Sequence, residues 1–175
     1  MAGSSLDELY RCFAKPLYFY LLKLSGSPQL AEDLVQETFV RATIALPKQF
    51  HENAKAWLFK TARNAYLDEW RKQERRRRLP FAEALFRTKE MISPYGLPEN
   101  EVIEAESKHD IARLVNGLPE NYRSVIYLRE IEGLSYSEIR EALSLTEDQV
   151  KILLHRARKK LAQLMQMKGS ENPYD

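Results

Sequence analysis

Cysteine is almost absent from this sequence of 175 residues, and Cys12 is its one representative. A single thiol cannot form a disulfide within the chain, so a scaffold held by internal disulfides is excluded. We expect Cys12 to pack as a small hydrophobic residue. The sequence also lacks the basic start and apolar run of a signal peptide, and no window is apolar over the length that spans a bilayer. We therefore expect a cytoplasmic protein.

Patterns typical of enzymes and metal sites are missing as well. The three histidines, His51, His109 and His155, are scattered over different elements and do not have metal-ligand spacing. No nucleophile lies beside a base in a recognisable pattern. We therefore expect no catalytic residue, no metal and no cofactor, and the hypothesis of a helical metal-dependent or hydrolytic enzyme is not favoured.

The formal net charge is only +2, but the charged residues are unevenly distributed along the sequence. Residues 1–79 carry 14 Lys+Arg and 9 Asp+Glu, residues 80–109 carry 3 and 6, and residues 110–175 carry 10 and 10. An acidic stretch containing Pro80, Pro94, Gly96 and Pro98 therefore separates a basic half from a neutral one. Such a composition is typical of a linker between two domains.

Period-two alternation of useful length is absent, whereas apolar residues recur at helical spacing, so we expect an all-α fold of two small helical domains. In the first domain, Pro16 is predicted to end one helix and open the next, which stops at Ser25-Gly26. Ser27-Pro28 provides the cap and first-turn proline of another helix. Pro47–Asn53 is predicted to form a loop before a long helix, from about Ala54 to about Arg78.

Residues 135–161 show two helices joined by a tight turn, the pattern of a helix-turn-helix that places its second helix in the DNA major groove. Thr146 is the predicted cap of that second helix. From Thr146 to Lys168 there are six Lys+Arg and two Asp+Glu, a charge that suits phosphate binding. The alternative is an ordinary amphipathic hairpin with a solvated basic face. The predicted helices of this half are a first one from about Asp110, Tyr122–Glu132, Tyr136–Leu143 and Glu147 to about Met167.

Two blocks of sequence resemble regions of bacterial sigma factors. Residues 31–39 (AEDLVQETF), residues 56–71 (AWLFKTARNAYLDEWR) and the basic run to Arg78 resemble region 2. Residues 118–129 (LPENYRSVIYLR), with the helix-turn-helix after them, resemble region 4. Two such regions without a region 3 between them are typical of the extracytoplasmic-function (ECF) group of the sigma-70 family. The resemblance implies a region 2 domain over 1–79, a linker over 80–109 and a region 4 domain over 110–175.

The resemblance also implies partners and binding residues. Core RNA polymerase would be bound through its β′ clamp helices and β flap, and an anti-sigma factor, often membrane-anchored in this family, would hold the protein inactive. The polymerase-binding residues implied are Glu32, Asp33, Gln36 and Glu37. Those implied for the minus-10 promoter element are Trp57, Lys60, Arg63, Asn64, Tyr66, Arg71, Lys72, Arg75 and Arg76. Those implied for the minus-35 element are Glu147, Gln149, Lys151, Ile152, His155, Arg156 and Lys159.

Some of these residues have other interpretations. The acidic helix face and the arginine run could be solvated surface, and we expect Trp57 and Trp70 to be the aromatics of the core. Ile152-Leu153 stands where the family often has Ser-Arg, so a base preference at the minus-35 element does not transfer. A hypothesis of another class is a stand-alone regulator that binds DNA through the helix-turn-helix, with the first half as an interaction module.

Overall fold

The computed structural model describes residues 2–45, 53–77 and 114–169. The chain divides into two compact units, Met1–Leu97 and Pro98–Asp175. All regular elements within the described ranges are helical, which confirms the all-α prediction of two helical domains. Most of the predicted loop at 47–53 and all of the predicted linker at 80–109 lie outside the described residues.

Within residues 2–45 and 53–77, the first unit contains three helices, and each packs against the other two. Their shared core includes Leu17, Leu21, Val35 and Phe59, all without solvent exposure. The ring of Tyr20 meets that of Phe59 edge-on, with centroids 5.3 Å apart. These apolar contacts determine which side of each helix faces solvent. The helices are α1 (Ala2–Ser25), α2 (Pro28–Ala45) and α3 (Ala54–Arg77).

The prediction that Pro16 breaks the first helix is wrong, because α1 continues through it. Proline has no N–H to donate to the carbonyl four residues earlier, which costs about 3 kcal/mol in a helix interior. Ala14 and Leu17 on either side of Pro16 are buried against the rest of the unit. Tertiary packing of this kind supplies most helix stability in proteins and here outweighs the lost hydrogen bond.

The prediction that Cys12 is packed is also wrong, because its side chain is exposed. The buried residues of α1 begin two residues later, at Ala14, and Arg11 beside Cys12 is exposed too. The helical spacing of the segment located the helix, but it did not determine how far the core extends towards the N-terminus.

The predicted boundary between α1 and α2 is confirmed. Gly26 has a positive φ of 67°, and its N–H donates to the carbonyl of Leu22 at 2.8 Å, which ends α1. The hydroxyl of Ser27 accepts a hydrogen bond from the Leu30 N–H at 3.3 Å, and Pro28 occupies the first helical position of α2.

The second unit is built around fully or almost fully buried Val125, Leu128, Ile139 and Leu154. Its last helix packs against the two helices before it, which begin at Glu120 and Tyr136, and a π-helical turn, Tyr127–Ile131, continues the first of these. Residues 114–116 are also helical. The predicted order of helices, including the pair of the helix-turn-helix, is confirmed here. The helices are α4 (Glu120–Ile126), α5 (Tyr136–Leu143) and α6 (Glu147–Gly169).

Reciprocal side-chain caps define the starts of α5 and α6. Ser135 and Glu138 form a capping box: the Glu138 N–H donates to the Ser135 hydroxyl at 3.2 Å, and the Ser135 N–H donates to the Glu138 carboxylate at 2.7 Å. At the start of α6, the Gln149 N–H donates to the Thr146 hydroxyl at 3.2 Å, and the Thr146 N–H donates to the side-chain amide oxygen of Gln149 at 2.9 Å. The predicted cap at Thr146 is confirmed, and both ends of the turn between the two helices are fixed locally.

The turn between α5 and α6 contains a strained residue. Ser144 has a φ of 55° in the left-handed region, and it is the one non-glycine residue with positive φ in the described part of the chain. This conformation costs an L-residue other than glycine about 1–2 kcal/mol. The turn is therefore made at an energetic cost that glycine would not incur.

We expect Ser144→Gly to stabilise the second unit by about 0.5–1 kcal/mol, because relief of the strain exceeds the entropy that glycine loses on folding. Gly133→Ala is the matched control: Gly133 has a φ of 66° and open space around it, so alanine there should destabilise by about 1 kcal/mol. Hydrogen–deuterium exchange of the α5 and α6 amides in the full chain measures both effects. Faster exchange in Ser144→Gly than in the natural chain would contradict the strain argument.

Candidate nucleic-acid and polymerase interface

The exposed side of α2 carries three of the four residues predicted to bind polymerase. Asp33, Gln36 and Glu37 are exposed, whereas Glu32 is only 9% exposed and belongs to the packed side of the helix. The guanidinium of Arg41 pairs with Glu37 one turn further on. We call Asp33, Gln36 and Glu37 the acidic face. Glu32 is better described as a supporting residue than as a contact.

The acidic face continues into two exposed apolar residues that the sequence analysis did not identify. Val40 is 61% exposed and Ile44 is 76% exposed. They follow Glu37 at helical steps of three and four residues, so they extend the same side of α2. This spacing was visible in the sequence, but the apolar periodicity of α2 drew attention to its buried side alone.

The aromatics of α3 are distributed differently from the prediction. Trp70 is 50% exposed and Trp57 is partly buried, whereas Phe59 and Tyr66 are the aromatic residues of the core. Tyr66 is 7% exposed, so it supports the fold rather than presenting its ring for base stacking. Trp70, which was expected in the core, is the more accessible ring of this helix.

The polar residues predicted for the minus-10 element lie along the accessible side of α3. Asn64 is exposed, and Lys60 and Arg63 are partly exposed. Further along the helix the cations Arg71, Lys72, Arg75 and Arg76 are all exposed. The side of α3 away from the core is therefore strongly positive towards its C-terminal end.

Several of these cations pair with carboxylates on the same helix. Arg71 contacts Asp68 at 3.2 Å, and Lys72 contacts Glu69 at 3.6 Å. Exposed pairs of this kind contribute only about 0–1 kcal/mol each. A phosphate can therefore replace the carboxylate at little cost, and the pairs keep the cations positioned without neutralising them permanently.

The last helix, α6, buries one apolar stripe and exposes the opposite side. Val150, Leu154 and Ala157 are at most 1% exposed. With 3.6 residues per turn, the residues predicted to bind the minus-35 element fall outside this stripe. All seven predicted residues are exposed: Glu147, Gln149, Lys151, Ile152, His155, Arg156 and Lys159.

Two of the predicted minus-35 residues have structural roles at the start of α6. The Gln149 carbonyl oxygen accepts the Thr146 N–H, so this side chain is part of the cap. The Glu147 carboxylate lies 2.9 Å from the ammonium of Lys151. Lys151 lowers the pKa of Glu147 by hydrogen bonding and charge attraction, and Glu147 raises the pKa of Lys151 for the same reasons. Both pKa shifts show that the ion pair stabilises the charged forms of the two side chains.

Sequence reasoning missed a set of contacts made by the π-helical turn, one of which attaches α6 to it. The guanidinium Nε of Arg158 donates to Glu130 at 3.0 Å, across 28 positions in sequence. Arg129 donates to the carbonyl of Leu134 at 2.8 Å and lies 5.1 Å above the ring of Tyr136. No helical spacing rule relates Arg158 to Glu130, which lie 28 positions apart. Arg158 is thereby held towards the body of the unit.

Two family descriptions match this chain: Sigma-70 region 2 matches residues 9–76, and Sigma-70, region 4 matches residues 108–161. The ECF RNA polymerase sigma factor SigM of Bacillus subtilis (strain 168) is 32% identical over 164 residues, which cover 91% of this chain and 94% of SigM. The chain belongs to the ECF sigma factors. SigW of the same organism is 31% identical over 166 residues, covering 91% of this chain and 87% of SigW.

A solved structure is similar as well. The sigma factor RpoE from Bartonella quintana, determined in complex with the anti-sigma factor NepR, superposes with a TM-score of 0.70 and 26% sequence identity. The match covers 91% of this chain and 95% of RpoE. The ECF assignment therefore agrees in sequence and in fold.

The two units of this sigma factor correspond to sigma-70 regions 2 and 4. Region 2 covers most of α1 and all of α2 and nearly all of α3, and region 4 covers α4, α5 and most of α6. The partners of such domains are core RNA polymerase and promoter DNA, so the chain is a transcription initiation factor and not an enzyme.

Along residues 2–45, 53–77 and 114–169, no helix has both the length and the hydrophobicity needed to cross a bilayer. Within the same ranges, no group of three or more His, Cys, Asp or Glu side chains is arranged to hold a metal ion.

Proposed function

We propose that this sigma factor binds core RNA polymerase through α2, contacts the minus-10 element through α3 and the minus-35 element through α6, and thereby helps to open promoter DNA. One observation carries the proposal: in each of these helices the apolar side is buried within its own unit, and the side expected to bind a partner is exposed. We also propose the domain limits 1–79 and 110–175, with 80–109 as the connection.

Polymerase docking is assigned to the acidic face together with Val40 and Ile44. Carboxylates attract a basic partner surface and orient its approach, and they contribute little once they are solvated at the rim of an interface. Exposed apolar side chains supply the area that becomes buried. Because Val40 and Ile44 extend the acidic face along α2, one strip of the helix provides both contributions to binding the β′ clamp helices.

Minus-10 recognition is assigned to the accessible side of α3. The amide of Asn64 can both donate and accept hydrogen bonds, which suits the edge of a base that has left the stack. Trp57 and Trp70 provide partly accessible π-faces, and the nearby cations provide charge for phosphates, the combination that binds single strands. Tyr66 supports this surface from the core.

Minus-35 recognition is assigned to α6. The first turns of such a helix meet base edges, and later cations meet phosphates. Lys151, Ile152, His155 and Arg156 occupy the first turns of the exposed side, and Lys159 follows one turn later. Gln149 acts through the cap, which fixes where the helix begins.

We further propose that an anti-sigma factor holds this protein inactive by covering these same faces. The similar sigma factor RpoE was solved with its anti-sigma factor NepR, and this supports the existence of such a partner. The finer part of the proposal, that the inhibitor is anchored in a membrane, is supported by the family resemblance alone. Co-purification of an inhibitor with the detergent-solubilised membrane fraction tests it.

Reconstituted transcription tests the proposal as a whole. Core RNA polymerase and this chain should give run-off products from a library of genomic promoters, and a gel shift of promoter duplexes should require core enzyme. Absence of run-off product from every promoter would contradict the proposal. A specific shift by the chain alone, unchanged by core enzyme, would favour the stand-alone regulator instead.

The acidic face gives a prediction for core binding. Asp33→Lys with Glu37→Lys should weaken binding to core polymerase about tenfold or more, because like charges then oppose each other at the interface. Asp7→Lys with Glu8→Lys makes the same change in charge on exposed residues of α1 and should leave binding unchanged. Competition for core enzyme against a labelled sigma factor measures both variants. Equal loss in the two variants would show a general effect of charge.

Asn64 gives a prediction for strand opening. Asn64→Ala should reduce open complexes about five- to tenfold, because a base edge loses its hydrogen-bond partner, while core binding stays unchanged. Gln73→Ala removes an exposed amide nine positions further along α3 and should have no effect. Permanganate reactivity of unpaired thymines measures opening. Normal reactivity in Asn64→Ala would remove this residue from the proposed site.

A further inference from the structure

The recognition helix α6 exposes an apolar side chain in the middle of its polar side. Ile152 is 51% exposed, although its sequence neighbour Leu153 is partly buried. With 3.6 residues per turn, Ile152 points away from the stripe of Val150, Leu154 and Ala157. It is the sixth residue of the helix, within the part that enters the major groove in helix-turn-helix domains.

Nothing in the described part of the second unit, residues 114–169, explains this isoleucine. A β-branched residue is a weaker helix former than lysine, arginine or glutamine, and Ile152 is not compensated by full burial. The residues one turn before and one turn after it, Asp148 and Arg156, are both exposed and charged. A single exposed isoleucine is ordinary on a protein surface, but this one lies at the centre of the surface assigned to DNA.

The chemistry of the major groove limits what such a side chain can recognise. An isoleucine neither donates nor accepts hydrogen bonds, so it cannot distinguish the amino, keto and ring-nitrogen groups of base edges. The apolar group that the groove presents is the 5-methyl group of thymine. Adjacent Lys151, paired with Glu147 at 2.9 Å, and His155 one turn on provide polar contacts around it.

We propose that Ile152 packs against the 5-methyl group of a thymine in the minus-35 element and so makes this sigma factor select an A·T pair at that position. The proposal rests on the assignment of α6 to minus-35 recognition. It adds a specificity-determining contact made by an exposed apolar side chain of this chain.

The test removes the methyl group from the DNA and the side chain from the protein. A promoter pool with a randomised minus-35 element is selected with core polymerase and the full chain. In the selected duplex, each thymine of the element is then replaced in turn by deoxyuridine, which lacks only the methyl group. We expect one replacement to weaken holoenzyme binding about three- to fivefold, as burial of one methyl group implies.

Ile152→Ala should bind the thymine and deoxyuridine duplexes equally at that position, and selection with it should lose the A·T preference there. Alanine is a better helix former than isoleucine, so α6 should remain intact in this variant. Met165→Ala, which removes a 46% exposed apolar side chain from the far end of the same helix, should keep the discrimination of the natural chain.

Two other results would be decisive. If no thymine responds to loss of its methyl group, or if Ile152→Ala keeps the same response, the contact is overturned while minus-35 recognition stands. If the natural chain with core enzyme selects no element from the pool, minus-35 recognition by α6 fails and this inference fails with it.

Discussion

The burial of one apolar side of each helix is the constraint on which the rest of this structure depends. In the first unit the buried residues of α1, α2 and α3 face one another, and Leu17, Val35 and Phe59 are fully buried. An amphipathic helix cannot bury one side without orienting the other towards solvent. The sides of α2 and α3 that carry the acidic face and the basic residues are thus turned towards solvent by the apolar contacts of the core. In the second unit, Leu154 orients α6 in the same way.

Local polar contacts refine what this burial establishes. The Thr146 and Gln149 cap sets the first residue of α6, and the contact between Arg158 and Glu130 ties the middle of that helix to the π-helical turn. Both contacts are exposed and individually weak, yet they determine where the exposed side chains stand relative to the turn. The first turns of α6 are thereby defined by the protein before DNA is present, and this lowers the cost of ordering them on binding.

Helical spacing and capping residues predicted most of this fold, because both act over a few neighbouring residues. Ser27 and Thr146 begin helices as predicted, whereas Pro16 does not end one, because packing by distant residues outweighs its local cost. In the candidate site, spacing alone separated the buried stripe of α6 from its exposed side. Spacing could not predict that Tyr66 on α3 is buried and Trp70 is exposed, because this depends on how the helices pack together. Helical spacing could not predict the contact of Arg158 with Glu130 either, because the two residues lie 28 positions apart.

Site-specific photo-cross-linking in the promoter-bound holoenzyme tests the central claim most directly, namely that the sides left outside the apolar stripes bind the partners. A photoreactive residue placed at Asp33 should cross-link to polymerase, and one placed at Asn64 or His155 should cross-link to promoter DNA. A photoreactive residue at exposed Lys160, outside the proposed contacts, provides the background. The account would be contradicted if photoreactive residues at Asp33, Asn64 and His155 cross-linked to polymerase or promoter DNA no more than the one at Lys160 does.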